Sequence, residues 1–132
     1  GVAILSKLPL EDVMRGLPGD DADEQARWIE ATVIGRRPIR VCGLYLPNGN
    51  PAPGPKYDYK LAWMSRMEAR AKVLLAQEEP TVFCGDYNVI PQDSDAARPD
   101  LAELAQERII TYSKNSRPHQ DIVALMQANG WR

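Results

Sequence analysis

Four prolines fall within residues 47–55, Pro47-Asn48-Gly49-Asn50-Pro51-Ala52-Pro53-Gly54-Pro55, and they partition the chain. Proline removes a backbone donor and fixes φ, so this stretch cannot be regular structure and reads as a rigid exposed loop. Before it, residues 39–46 are rich in β-branched and apolar side chains, the pattern of a strand. After it, residues 56–78 read as a long helix: Tyr57, Leu61, Met64, Ala71, Leu74 and Leu75 recur at near-helical spacing. Lys60, Arg66, Arg70 and Lys72 fall among the polar positions, and Pro80 marks the end.

The rest of the chain arranges itself around that strand–loop–helix unit. Residues 1–6 read as a short strand stopped by Pro9, and residues 15–24 carry turn chemistry with two glycines, one proline and an acidic run. Residues 25–34 alternate, with Arg27, Ile29, Ala31 and Val33 on one face and Trp28, Glu30, Thr32 and Ile34 on the other. Gly35-Arg36-Arg37-Pro38 then reads as a hairpin into the next strand. Thr81-Val82-Phe83-Cys84-Gly85 is nearly unbroken apolar sequence, as expected of a central strand covered on both faces. A polar loop follows to Asp100, and residues 101–110 and 120–129 are expected helices, the second with Ile122, Leu125 and Met126 on one stripe and Gly130 as its stop. Strands, a crossover helix and a further buried strand imply a mixed α/β domain. One helical layer on one sheet leaves the second face for another sheet, which this chain barely supplies.

Length and charge narrow the functional classes. The 132 residues fit one domain, expected to be a partial one. The chain opens inside an apolar run without Met, which suggests a piece of a longer protein. Every apolar run is interrupted by charge, so no membrane span is expected. A net charge of −2 argues against a protein that coats nucleic acid nonspecifically, but not against an enzyme that grips a few phosphates. Cys42 and Cys84, each in an apolar run, read as inert core thiols that fit a reducing cytoplasm. Trp28 and Trp63 read as core.

Chemistry concentrates in two segments. Gly85-Asp86-Tyr87-Asn88-Val89-Ile90-Pro91 follows a buried strand directly, so Asp86 and Asn88 leave its C-terminal end together, on one side if the backbone stays extended. A carboxylate beside an amide suits phosphodiester hydrolysis: one handles the proton of a water or leaving oxygen, the other donates to a phosphoryl oxygen. The same tripeptide also reads as an Asp-x-Asn turn satisfying local backbone groups. Leu44-Tyr45-Leu46-Pro47-Asn48-Gly49-Asn50 brings a phenol to another strand end, with an amide in the rigid loop beyond. Alone, Tyr45 is also a strand-end core aromatic and Asn48 a left-handed turn residue before Gly49. Two such strand ends opening on one edge form a site.

These two segments, with Lys56-Tyr57-Asp58-Tyr59-Lys60-Leu61-Ala62-Trp63-Met64 between them and Gly1-Val2-Ala3-Ile4-Leu5-Ser6 and Gln25-Ala26-Arg27-Trp28-Ile29 before them, resemble bacterial exonuclease III proteins of the endonuclease/exonuclease/phosphatase superfamily. The resemblance is good to Pro91 and fades after Arg98. It implies part of a four-layer α/β sandwich, two packed mixed sheets flanked by helices, acting as a monomer in a bacterial cytoplasm. It implies Mg²⁺ (or Mn²⁺)-dependent cleavage of double-stranded DNA beside abasic sites and removal of nucleotides from 3′ ends. By position it makes Tyr45, Asp86 and Asn88 catalytic and places Asn48 where the family has a phosphate-loop residue; the basic residues that begin at the proline loop and run along the helix add Lys56, and Lys60 after it, as candidates for the DNA backbone. Arg66 and Arg70 read instead as a solvated helix face. The family's further metal-binding Glu and its Asp-His pair have no counterpart here. Glu30 lies in the wrong motif, and His119 lacks the Asp-His order. No metal ligand is therefore assigned, Mg²⁺ is expected to be held poorly, and the isolated chain is expected to be inactive or very weak. A phosphatase or phosphodiesterase of the same superfamily, and a noncatalytic remnant of the fold, are the alternatives.

Overall fold

Proline and glycine punctuation sets the element order. The computed structural model describes residues 1–88 as β1 (Leu10–Arg15), β2 (Trp28–Val33), β3 (Ile39–Tyr45), α1 (Pro55–Ala76) and β4 (Thr81–Asp86). The strands form one sheet in the order β1-β2-β3-β4. β1–β2 and β2–β3 are antiparallel and β3–β4 is parallel, the last pair joined across the long helix. This is a mixed α/β unit, as the element pattern implied. The polar loop beyond Asn88, the helices expected at 101–110 and 120–129, His119 and Trp131 lie outside the described residues.

The 35–38 hairpin folds as its sequence indicates, with Val33 opposite Ile39 and Trp28 opposite Leu44. β2 buries Trp28, Glu30 and Thr32 on one face, at 2%, 1% and 8% exposure, and Ala31 on the other at 1%. Cys42 and Leu44 of β3 continue that face by register. Helix α1 begins with Pro55, whose missing N–H needs no partner there, and ends where Glu78 turns to φ +57 before Pro80. Its buried stripe is Lys60, Trp63, Met64, Met67, Ala71 and Leu74. Trp63 and Phe83 pack edge-on against Trp28, at ring centroid distances of 6.2 and 5.2 Å. Trp28 and Trp63, at 2% and 1% exposure, each contribute on the order of 2 kcal/mol through apolar surface removed from water.

The structure corrects four expectations. Residues 1–6 form no strand; the first strand is β1, after Pro9. Pro9 is tolerated because β1 lies at the sheet edge and the proline needs only its carbonyl, which accepts the Ile34 N–H at 3.0 Å. β1 also carries an irregular register between Glu11 and Met14, with Asp12 at φ +49, so no alternation marks it in the sequence. Second, β4 is the last strand of the described sheet, and only its Phe83 side packs under α1. Val82 is 48% exposed and Cys84 is exposed, so only Cys42 is a core thiol.

Third, Arg66 and Arg70 face inward. Arg70 donates to both carboxylate oxygens of buried Glu30, Nε at 3.1 Å to Oε2 and Nη2 to Oε1. Trp28 Nε1 and Arg40 also bond that carboxylate. Arg66 pairs with Asp23 at 2.8 Å and donates to the carbonyls of Leu17 and Pro18, fastening the acidic turn to the helix. A carboxylate held in the sheet interior must meet its counter-charge from the covering helix. Fourth, Lys60 is wholly buried, which removes it from any role on a DNA backbone.

Candidate active site

The parallel ladder between β3 and β4 runs both strands to the same end, where it pairs Tyr45 with Asp86. Partners in register on a sheet share a face, so the phenol and carboxylate stand side by side at two adjacent carboxyl termini. Such strand ends are where open α/β sheets bind ligands. Leu46 N–H donates to Asp86 O at 2.8 Å, extending the ladder one step past β3. The strands approach closely here because residue 85 is glycine. A Cβ on Gly85, at φ +143, would lie 1.9 Å from the Leu44 carbonyl oxygen.

Beyond the strand the backbone leaves the extended form, and Asn88 sits at φ +46. Asp86 and Asn88 are therefore related by a turn and not by strand alternation. Asp86 Oδ1 accepts the Asn88 backbone N–H at 2.8 Å, and Asn88 Nδ2 donates to Leu46 O at 2.7 Å. The turn fixes both side chains, and among the described residues Asp86 Oδ2 and the second N–H of the Asn88 amide are left for a ligand. Asn48, exposed in the proline loop, accepts from the N–H and the Nδ2 of Asn50 at 3.2 and 2.6 Å. Lys56 is exposed in the first turn of α1.

Two residues complete the edge, Arg27, which the sequence did not single out, and Lys60, which it offered for a different role. Arg27, one residue before β2, donates to Tyr45 O at 3.4 Å and holds its guanidinium 5.4 Å from the Tyr45 ring centroid. Gln25 steadies it through a 2.7 Å bond to Nε. The signal was available in the hairpin register, which carries Arg27 alongside Tyr45 just beyond the Trp28–Leu44 pair. Lys60 is the second: its Nζ donates to Asn48 O at 3.2 Å and Asn88 O at 2.9 Å. Burial pushes its ammonium down to about 8, while the Asp86 carboxylate pulls the other way.

The edge thus offers a carboxylate, a phenol, two amides and a guanidinium, a donor-rich set around one base that suits an anionic ester. Among the described residues no group of three or more His, Cys, Asp or Glu could hold a metal ion. Glu30, further inward, is consumed by Arg70, Arg40 and Trp28.

The profile of the Endonuclease/Exonuclease/phosphatase family matches residues 1–131. Three solved structures of similar proteins agree with it. One is a 3′ phosphatase, NExo, from Neisseria, bound to a product DNA hairpin; it is 32% identical, with a TM-score of 0.65 over 74% of this chain and 37% of its own. Another is the 3′-5′ exonuclease NExo from Neisseria meningitidis, 33% identical over the same shares with the same TM-score. An AP endonuclease from Archaeoglobus fulgidus is 30% identical, with a TM-score of 0.61 over 80% of this chain and 43% of its own. The chain spans between 37% and 43% of the length of these proteins.

Proposed function

The chain belongs to the endonuclease/exonuclease/phosphatase family, and from that premise we propose that it is the sheet-edge portion of an exonuclease III-type DNA-repair nuclease. The enzyme incises double-stranded DNA beside abasic sites and trims 3′ ends. The observation that carries the reading is the register pair of Tyr45 and Asp86 at adjoining parallel strand ends. The similarity to a 3′-5′ exonuclease and an AP endonuclease supports the substrate class.

In this reading Asp86 Oδ2 takes a proton from the attacking water as the water oxygen bonds to phosphorus and the P–O3′ bond breaks, and the departing O3′ takes a proton from solvent to become the 3′-hydroxyl. Tyr45 and the free N–H of the Asn88 amide donate to the non-bridging oxygens, where negative charge builds. Asn48 and Lys56 hold flanking phosphates. The far face of the sheet, with Val82 and Cys84 exposed, is the natural seat for the second sheet of a four-layer sandwich. A bacterial cytoplasmic location and a monomeric state belong to the same proposal; two free cysteines are consistent with the first.

The reading includes dependence on Mg²⁺ (or Mn²⁺), but the described residues do not by themselves fit such an ion. Mg²⁺ takes one or two well-placed carboxylates with water and phosphate, and the only one named at the edge, Asp86, is already taken up as the base and as the acceptor of the Asn88 N–H. No step is routed through a metal. For the same reason the chain alone is expected to be inactive or very weak.

The test is incision of a duplex carrying one abasic site, with Mg²⁺ or EDTA. The 132-residue chain and the full product of its reading frame are compared, each with and without Asp86→Asn. Mg²⁺-dependent incision by the full product, lost in the variant, is the expected result. A second reading, a 3′ phosphatase, is favoured by the similarity to the Neisseria enzyme. It predicts phosphate release from a 3′-phosphorylated end without abasic incision. If the full product does neither, both readings fall.

A further inference from the structure

A buried lysine is expensive to keep, and Lys60 has no exposed surface. Its ammonium sits beneath the strand ends and donates to two main-chain carbonyls 40 residues apart in sequence, Asn48 O at 3.2 Å and Asn88 O at 2.9 Å. Asn48 lies three residues past the end of β3, and Asn88 two past the end of β4. The other cross-links at this edge, Leu46 N–H to Asp86 O and Asn88 Nδ2 to Leu46 O, join the same two segments. Lys60 closes them into one bonded ring anchored to the first turns of α1.

From this geometry we propose that Lys60 is a positioning residue, which sets the separation of the β3 and β4 exit loops and so fixes the Asn88 amide and Asp86 carboxylate relative to Tyr45. It touches no substrate. An apolar side chain of equal length would fill the space but leave two carbonyls without their shared donor, freeing the loops to move apart. Its consequence for catalysis rests on the nuclease reading; the positioning itself does not.

The experiment compares the wild-type chain with Lys60→Met and Lys60→Arg by NMR. The readouts are hydrogen exchange at the Leu46 amide and the shifts of the Asn88 carboxamide, with the Tyr45 amide, bonded to Arg27 O, as internal control. In Lys60→Met the Leu46 amide is expected to exchange about tenfold faster relative to Tyr45, the factor for one lost hydrogen bond. The Asn88 carboxamide is expected to shift towards its free value, and Lys60→Arg to restore both. Equal acceleration at Leu46 and Tyr45, or no rescue by arginine, would reduce Lys60 to an ordinary core side chain and overturn the proposal. Should Lys60→Met fail to fold, the wild-type chain decides. A pinned ammonium gives a slowly exchanging Nζ–H signal with cross-relaxation to the Asn48 and Asn88 segments, and lack of that signal overturns the proposal as well. Abasic-site incision by the full product separates the two ideas: silent incision with the exchange pattern intact defeats the nuclease reading alone.

Discussion

Glu30 sits at 1% exposure, bonded by Arg70, Arg40 and Trp28, with the Cys42 thiol 3.9 Å from Oε2. Removing one side of a buried pair strands the other charge, so Glu30→Gln should lower stability by about 3–5 kcal/mol. Urea denaturation should show this as a lower midpoint at unchanged slope, and Glu30→Met with Arg70→Leu should recover most of the loss. The thiols separate in the same way. Burial, reinforced by the Glu30 carboxylate, pushes Cys42 up to about 12, whereas Cys84 is exposed. A maleimide at neutral pH should label one thiol per native chain, at Cys84, and two after denaturation; labelling of Cys42 in the native chain would contradict the packing. Lys60 gives a pH signature of definite sign. Its folded value of about 8 lies below the ordinary 10.5, so the unfolded chain binds more protons between those values and stability should climb with pH across that window. Cys42, Tyr59 and Tyr87, all pushed up to about 12 by burial, act oppositely above their ordinary 9 to 10. The difference between wild type and Lys60→Met, followed by urea midpoints from pH 7 to 10, isolates the lysine contribution.

Elements were legible wherever a local rule had a single outcome. The 47–55 loop, the helix after it and the 35–38 hairpin follow from φ restriction, helical spacing and alternation, and each is where the sequence implies. What failed depended on partners remote in the chain. β1 has no alternation because its register slips between Glu11 and Met14, and an unbroken apolar β4 looks two-sided although only its Phe83 face lies under the helix. Arg66, Arg70 and Lys60 counted as polar helix positions; only the fold reveals Asp23, Glu30 and two loop carbonyls waiting for them. At the candidate site the segments were legible, and so was Asp86 leaving its strand beside Asn88. The positive φ of Asn88 was not, because an Asp-x-Asn sequence fits both an extended exit and a turn. Gly85 gives the element-scale prediction. With no room for a Cβ against the Leu44 carbonyl, Gly85→Ala should prise β4 from β3 and cost about 3 kcal/mol or more. Thermal melting should register it as a drop of several degrees at least, and an unchanged melt would refute the close approach.

Across the whole molecule, negative charge and DNA chemistry are compatible only if cations are few and local. With half-buried Arg27 and exposed Lys56 the cations named at the edge, the proposed nuclease would neutralise about two phosphates there, and the log–log salt dependence of abasic-duplex binding should have a slope of about −2. Fluorescence anisotropy at rising KCl measures it, and a slope near −6 or steeper, about three times as many contacts, would require a basic surface elsewhere. The manner in which Lys60 holds the edge has an evolutionary consequence. It grips carbonyls, which every residue possesses, and not the side chains at 48 and 88. That grip therefore survives a change of side chain at position 48, whereas position 88 is held a second time by its own amide, which donates to Leu46 O, and by its positive φ.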